Sequence, residues 1–160
     1  MIGYFEDIAV GDRCELGSFT FTAEGIKKFA GQFDPQRFHL DEEEGRKSLF
    51  GGLTASGWHV ASACIRVMVD DGQRRAEQAR LRGEPAPSWG PSAGFRALRW
   101  IKPVLAGDTI AYASEVVTRR ESKSRPEWGI LQVRNTGTNQ RGELAISFLS
   151  TVFVPRRPTA

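Results

Sequence analysis

The chain has 160 residues, of which 40% are hydrophobic and 26% charged, and its formal net charge at pH 7 is +3. This length and composition can build the core of one domain, so we predict a single domain over residues 1–160 and exclude wholesale disorder. No apolar stretch approaches the roughly 20 residues of a membrane helix, and the small net charge argues against a nucleic-acid partner. The acidic start of the chain lacks a secretory pattern, which predicts a cytoplasmic protein.

The cysteine and arginine residues give weaker signals. Cys14 and Cys64 are the only two cysteines and fit no metal-ligand spacing, so we predict two reduced structural thiols and no metal site. Arginines crowd residues 74–82 and 119–125, with no interleaved aromatic residues of the kind that stack on single-stranded nucleic acid. These segments are either solvated faces or contacts for the phosphates of an anionic ligand.

The first third of the chain predicts one strand and two helices. A short strand is expected at 19–21, followed by an amphipathic helix over 23–33 with Thr22 as its N-cap. The apolar residues of this helix recur at the spacing of one helical face. Pro35 ends this helix, because the residue before a proline is pushed out of the helical region. Asp41 and Glu44 resemble a capping box, which predicts a short helix over 42–47.

The remainder predicts one buried helix and four strands. A glycine-rich turn over 50–57 leads into an almost continuously apolar helix over 58–69, which we expect to be covered on several sides. Residues 71–91 read as a connection with one polar helical turn. The period then changes to two over 95–101, 109–118, 128–135 and 143–154. We therefore predict an α+β fold, with four antiparallel strands in succession curled around the buried helix.

One carboxylate and one imidazole stand out as candidates for chemistry. His39 follows Asp34 by five residues, across a loop that we expect to be tight and non-helical. Such a pair can share a water molecule, one group accepting its proton while the other orients it or returns a proton to the substrate. The alternative is an aspartate that caps the next turn beside an exposed loop histidine.

The glycine-rich start of the apolar helix is a second candidate. Free backbone N–H groups and the positive end of the helix dipole stabilise an oxygen that gains negative charge, such as a thioester carbonyl. Gly57 carries no side chain that would block such an approach. The alternative is that Gly51, Gly52 and Gly57 only permit the turn and close packing. His59, inside the apolar helix, reads as a core or interface histidine.

Four segments together resemble the MaoC-like dehydratase family, which includes the (R)-specific enoyl-CoA hydratases. They are Phe29-Ala30, the Asp-x4-His loop through Asp41, the segment Phe50–Gly57, and Trp100–Thr109 with its Pro-Val-x-x-Gly-Asp pattern. The resemblance covers nearly the whole chain in the same order. It implies a hotdog fold, in which an antiparallel sheet wraps around a long central helix, and a dimer with one continuous sheet.

The resemblance also implies roles for individual residues. The catalytic acid/base pair corresponds to Asp34 and His39, and the amide that holds the thioester carbonyl corresponds to Gly57. Ser56 could cap the helix, bind the ligand, or do both, and we expect Phe38 and Gly52 to join it in the substrate site. The chain departs from the family in having Gln36-Arg37 where Asn-Pro is usual. This puts the path of the loop and a hydrogen bond from that asparagine in question.

We therefore expect an enzyme that adds or removes water across the C2–C3 bond of an acyl thioester, carried on coenzyme A (CoA) or acyl carrier protein. It would need no cofactor or metal and have no nucleic-acid or membrane partner, and it would be a homodimer. Arg119, Arg120 and Arg125 are the arginines that we expect near the carrier's phosphates. A thioesterase on the same fold is one alternative. A silent acyl-thioester-binding or dimerisation module is the other, with the altered Gln36-Arg37 pair as its best argument.

Overall fold

The structure is a computed structural model and describes residues 3–158. After a single 3₁₀ turn over Phe5–Asp7, the first half forms strand β1 (Arg13–Thr20) and helices α1 (Ala23–Phe33), α2 (Arg37–Leu40), α3 (Glu42–Lys47) and α4 (Gly57–Leu81). The second half forms strands β2 (Ser92–Trp100), β3 (Thr109–Glu121), β4 (Trp128–Asn139) and β5 (Leu144–Pro155). The predicted α+β class is confirmed.

The five strands form one antiparallel sheet in the order β1-β3-β4-β5-β2. The predicted simple succession of four strands is wrong at one position, because β2 pairs with β5 at the sheet edge and not with β3. The cause is the segment over 101–108, which passes the start of α4. There Ala55 N–H donates to the Val104 carbonyl at 2.8 Å, and Ala106 N–H donates to the Leu53 carbonyl at 2.9 Å. The chain thereby reaches the other side of the sheet before β3 begins.

The main core lies between α4 and one face of the sheet. Its buried side chains come from the helix and from strands on both sides of the sheet centre: Val60, Ala63, Cys64, Val67, Ile110, Tyr112, Ile146 and Phe148. The Tyr112 hydroxyl donates to the Val60 carbonyl at 2.9 Å, which satisfies the one polar group of this large buried side chain. One apolar face of the helix and one of the sheet thus pack together as the two layers of the domain.

Both cysteines are buried and are not joined in a disulfide. Burial raises the pKa of the Cys64 thiol to about 12, so it remains protonated at neutral pH. Cys14 lies beside the carboxylate of Asp71, with Sγ and Oδ2 3.7 Å apart. The thiols therefore occupy the structural positions that their sequence context predicted.

Helices α1 and α3 have the predicted bounds and caps. Thr22 accepts a hydrogen bond from Gly25 N–H at 3.1 Å, and Asp41 accepts from the N–H groups of Glu43 and Glu44. The expectation of a non-helical loop between these helices is wrong, because Arg37–Leu40 forms the single helical turn α2. This turn begins as soon as the backbone is past the proline, whose restriction applies only to the residue before it.

Helix α4 is longer than its apolar pattern predicts and continues through residues assigned to a connection. Its polar half carries three closely spaced sets of ion pairs, in which Asp70, Asp71 and Glu77 are the acids and nearby arginines the bases. Such pairs each stabilise a helix by a few tenths of a kcal/mol. Within residues 3–158 no helix is long and apolar enough to cross a membrane.

The expectation that α4 is covered on several sides is also wrong for the single chain. Trp58, Ile65 and Val69 are each about half exposed, and their spacing places them on one face of the helix. The edge strand β2 exposes Phe95 and Trp100 to a similar degree. Trp58 and Trp100 are in contact, with ring centres 5.4 Å apart, and we call the five exposed side chains together the α4–β2 surface.

Candidate active site

The site is built where α1 ends. Asp34 is the C-cap residue of α1. Its dihedral angles, φ −154° and ψ 70°, are not helical, so the chain leaves the helix at this residue and the loop begins. Pro35 disfavours the helical conformation for Asp34, which ends α1 here. Two residues later α2 begins, and its third residue is His39, of which only 5% is exposed. Loop and turn thus place both candidate groups within one short stretch of chain.

The Asp34 carboxylate and the His39 imidazole face each other. His39 Nδ1 lies 2.5 Å from the Thr54 carbonyl oxygen. A carbonyl oxygen can only accept a hydrogen bond, so Nδ1 carries the proton of this bond. Nε2 is then the ring nitrogen that is left for interactions at the site. Nε2 lies 3.4 Å from Asp34 Oδ2. The hydrogen bond to Thr54 therefore fixes both the tautomer and the direction of Nε2.

The same carboxylate binds the first residue of the central helix. Ser56 Oγ donates to Asp34 Oδ2 at 2.6 Å and accepts from Trp58 N–H at 3.2 Å. Ser56 therefore caps α4 and also contacts the candidate acid. The predicted capping role of Ser56 is confirmed, and its role in binding a ligand stays a prediction.

The second carboxylate oxygen also has a partner. Gln36 Nε2 donates to Asp34 Oδ1 at 2.8 Å. Gln36 stands in the segment where the chain departs from the usual Asn-Pro pattern, so the departure leaves the carboxylate with an amide donor. The sequence could not predict this bond, because the conformation of the loop decides whether residue 36 can reach back by two positions.

These contacts set the charge of Asp34. Partial burial acts to raise the pKa of its carboxyl, but hydrogen bonds from Ser56 and Gln36 and the nearby His39 outweigh that effect and lower it. Asp34 is therefore a carboxylate at neutral pH. It can accept a proton or hold a water molecule, but it is not a store of protons at that pH.

The remaining predicted residues differ in their relation to this pair. Phe38 packs its ring edge-on against the His39 ring, with centroids 4.5 Å apart. Gly52 has no direct contact with Asp34 or His39 in the described part of the chain; it packs against Leu105, and its carbonyl accepts from the Thr54 hydroxyl. Phe38 thus borders the pair, whereas Gly52 supports the strand-like segment that holds Thr54.

Gly57 directly follows Ser56, but its α-carbon is not open to approach. A Cβ atom placed there would lie 2.7 Å from Cδ2 of the Trp100 indole. The glycine is therefore required for close packing against Trp100, which was one of the two readings of its sequence. Its amide is in the first turn of α4, where N–H groups have no helical partner. No sequence pattern indicated that Trp100 packs against Gly57, since its position depends on the pairing of β2 with β5.

The three arginines expected near a ligand's phosphates are not at this site. Arg119 donates to the Ile8 carbonyl at 2.7 Å, and its guanidinium lies 4.3 Å from the Phe5 ring centre. Arg119 is ten residues along β3 from Thr109, or about 33 Å of strand. Thr109 is at the end of β3 that follows the segment bonded to residues 53–55. The expectation is wrong because the length of β3 separates these arginines from the loop that carries Asp34 and His39.

His59 lies one turn along α4 from Ser56 and is 8% exposed. Its ring stacks on Phe29 at 4.5 Å and meets Phe21 edge-on at 5.0 Å. Nδ1 is enclosed without a hydrogen-bond partner among residues 3–158. Burial lowers the pKa of His59, so the ring is neutral inside this aromatic cluster. It is a core histidine, as its sequence context predicted.

No group of three or more His, Cys, Asp or Glu side chains in the described residues is arranged to hold a metal ion. The groups that the site brings together are a carboxylate, an imidazole, a hydroxyl and the backbone amides at the start of α4. This set can exchange protons with a bound water molecule and stabilise a developing oxyanion.

Comparison with known proteins agrees with this arrangement. The family model described as the MaoC like domain matches residues 9–139, and the chain belongs to that family. The crystal structure of the MaoC-like dehydratase from Rhodospirillum rubrum is 39% identical, with a TM-score of 0.81, and the match covers 98% of this chain and 99% of that one. The predicted family is therefore confirmed.

A more distant structure confirms the fold. The Mycobacterium tuberculosis protein Rv0216, described as a double hotdog fold, has a TM-score of 0.67 at 17% identity, covering 99% of this chain and 46% of that one. The five-stranded antiparallel sheet packed on α4 is accordingly a hotdog fold.

The chain is also similar to several curated proteins, of which two are described here. The uncharacterized protein YdeM of Bacillus subtilis is 26% identical over 147 residues, which is 88% of this chain and 95% of that protein. The mesaconyl-CoA hydratase of Cereibacter sphaeroides is 39% identical over 67 residues, 42% of this chain but only 19% of that enzyme. The chain thus aligns with a small part of this hydratase.

Proposed function

We propose that this protein is a hydratase or dehydratase that adds water to, or removes it from, the C2–C3 bond of an enoyl thioester. The observation that carries the proposal is the 3.4 Å approach of His39 Nε2 to Asp34 Oδ2 beside the first turn of α4. Membership of the MaoC-like family and the similarity to a mesaconyl-CoA hydratase support it. The carrier is CoA or acyl carrier protein.

In the hydration direction, one water molecule binds to both the Asp34 carboxylate and His39 Nε2. One O–H bond of the water breaks as its oxygen bonds to C3, and the released proton goes to the Asp34–His39 pair. A proton from the same pair bonds to C2. The two groups lie 3.4 Å apart and share these two transfers.

The thioester oxygen gains negative charge as C3 is attacked. The amide of Gly57, at the positive end of α4, stabilises this charge in the proposed mechanism. Phe38 and Ser56 line the same site, Ser56 chiefly by holding the carboxylate. Gly52 supports the site indirectly. Its carbonyl accepts a hydrogen bond from the Thr54 hydroxyl, and the Thr54 carbonyl orients His39.

The experiment is a direct assay of the purified full chain with crotonyl-CoA and longer enoyl-CoA substrates. We expect loss of enoyl absorbance without release of free thiol, and an (R)-3-hydroxyacyl product by chiral analysis. Free thiol would identify a thioesterase instead. Binding with neither change would identify a silent acyl-thioester-binding module and refute the proposal.

Asp34→Asn and His39→Ala should each lower turnover by at least about 100-fold, because general acid–base groups contribute roughly 10²–10⁴-fold. Asp41→Asn is the matched control, since Asp41 lies in the same segment and asparagine caps a helix as well as aspartate does. Circular dichroism checks that the variants are folded. Turnover near that of the unmodified chain in either variant would remove that residue from the mechanism.

We further propose a homodimer in which a second copy covers the α4–β2 surface. The edge strand β2 has unpaired backbone groups on one side, and the half-exposed side chains of α4 lie beside it. Ile65→Glu should dissociate the dimer with little effect on the fold, because Ile65 is 50% exposed in the single chain. Sedimentation equilibrium measures this; a monomeric unmodified chain would contradict the proposal.

A further inference from the structure

Arg37 is the arginine next to the proposed catalytic pair, and its side chain has no partner among the residues that the structure describes. Arg37 is exposed, and among residues 3–158 it makes no ion pair and no hydrogen bond through its side chain. Most arginines of this chain behave differently, since ten of them pair with a carboxylate: Arg13, Arg66, Arg74, Arg75, Arg80, Arg82, Arg134, Arg141, Arg156 and Arg157. Arg37 belongs to the minority of arginines without such a pair in the described residues, and it stands next to the proposed active site.

The reason lies in the neighbouring carboxylate. Asp34 is only three residues away, but its oxygens are already occupied by Ser56, by Gln36 and by the approach of His39. The guanidinium of Arg37 is left without a carboxylate partner among residues 3–158 and is exposed. Its charge and its planar set of donors, which suit the oxygens of a phosphate, remain available.

Arg37 lines a cavity of about 480 Å³. The other residues of its wall come from the catalytic loop and from α3: Pro35, Gln36, Phe38, Glu44, Lys47 and Ser48. Two of them also touch the catalytic pair, since Gln36 donates to Asp34 and Phe38 packs on His39. One layer of side chains thus separates the cavity from the proposed reaction centre.

The charges in this wall favour an anion. Arg37 and Lys47 are basic and Glu44 is acidic, and Lys47 already contacts Glu43 at 2.8 Å. Arg37 is accordingly the cation with no competing carboxylate. Phe38, packed against Phe50 with ring centres 5.2 Å apart, gives the cavity an apolar side suited to the aliphatic part of a carrier.

We propose that this cavity binds the phosphate-bearing end of the thioester carrier and that Arg37 is its main phosphate contact. The inference rests on the proposed function for the identity of the carrier. It replaces the arginines of β3, which the structure places at the other end of the sheet. It also gives a role to Arg37, one of the two residues by which the loop departs from the family pattern.

The test is calorimetric titration of the full chain with CoA, and with pantetheine, which lacks the phosphates. We expect Arg37→Ala to weaken CoA binding about fivefold, since a largely solvated charge pair contributes up to about 1 kcal/mol. Pantetheine binding should not change, and Arg37→Lys should retain part of the CoA affinity. Raised salt should reduce CoA binding to the unmodified chain more than to the alanine variant.

Arg120→Ala is the matched control, because Arg120 is likewise exposed, with no ion pair in the described residues, but lies near the far end of β3. The inference is overturned if the unmodified chain does not bind CoA, if Arg37→Ala leaves CoA binding unchanged, or if it weakens pantetheine equally. Hydration is scored separately with crotonyl-pantetheine. Hydration of that substrate with CoA binding insensitive to Arg37 would refute only the carrier site. Arg37-dependent CoA binding without hydration would refute only the proposed reaction.

Discussion

Substitutions of Ser56 can separate its contribution to the stability of the fold from its contribution to activity. Its hydroxyl makes two hydrogen bonds with different purposes, one to the Asp34 carboxylate at 2.6 Å and one from Trp58 N–H at 3.2 Å. A hydrogen bond to a charged group contributes about 1.5–3 kcal/mol, and loss of a helix cap to alanine costs about 1 kcal/mol. Ser56→Ala should therefore lower the free energy of unfolding by about 2.5–4 kcal/mol.

Ser56→Gly divides these two contributions. Glycine is nearly as good an N-cap as serine, so this variant should keep most of the cap and lose only the bond to the carboxylate. Its free energy of unfolding should accordingly lie above that of Ser56→Ala by about 0.5–1 kcal/mol. Urea denaturation of both variants at pH 7 measures the difference.

Activity should respond to the carboxylate bond alone. Without the Ser56 donor the pKa of Asp34 rises, so the ionised form is lost at a higher pH and the acid limb of kcat/KM moves toward neutrality. The two variants should show the same displaced limb and a similar loss of activity at pH 7, about tenfold or more if 1.4 kcal/mol of orientation is lost. An acid limb unchanged from that of the unmodified chain would refute this reasoning, as would a displacement in the alanine variant only.

Two further predictions concern the packing around the site. Gly57→Ala should lower the free energy of unfolding by about 1–3 kcal/mol, because its Cβ would overlap the Trp100 indole. The double variant with Trp100→Ala should lose less stability than the sum of the two single variants, and additive losses in this double-mutant cycle would contradict the contact. For His59, burial lowers the pKa, so the unfolded chain binds more protons and stability falls as pH drops below the unfolded value of about 6.5. His59→Phe, which keeps an aromatic ring stacked on Phe29, should reduce the fall in melting temperature between about pH 7.5 and about pH 5; equal falls in both proteins would show that other groups cause it.

Local patterns predicted the elements whose stability is local. The capping residues Thr22 and Asp41 and the apolar spacing over 23–33 located α1 and α3 to the residue, because a cap and an amphipathic stripe act within a few positions of chain. The end of α4 was missed for the opposite reason. Its polar half has no apolar stripe, and ion pairs such as those of Asp71 with Arg74 and Arg75 sustain it.

The order of the strands could not be predicted from the alternation of their residues. Period-two patterns indicate that a strand exists and which face is buried, but β2 fits β3 and β5 equally well on that criterion. The choice was made by the segment over 101–108, whose backbone groups bond to residues 53–55. The packing of Trp100 on Gly57 follows from the same choice, so no local pattern could predict that contact.

By itself the sequence determined the class of fold, the central helix and the two residues, Asp34 and His39, whose chemistry suits an acid/base pair. Those features depend on residue type and on spacing along the chain. Only the tertiary structure decided that Ser56 and Gln36 bind the carboxylate, that the Thr54 carbonyl fixes the imidazole, and that Arg37 is left unpaired beside a cavity. Hydrogen-bond partners depend on distances and directions between separate elements, and these are set only when helix and sheet pack together.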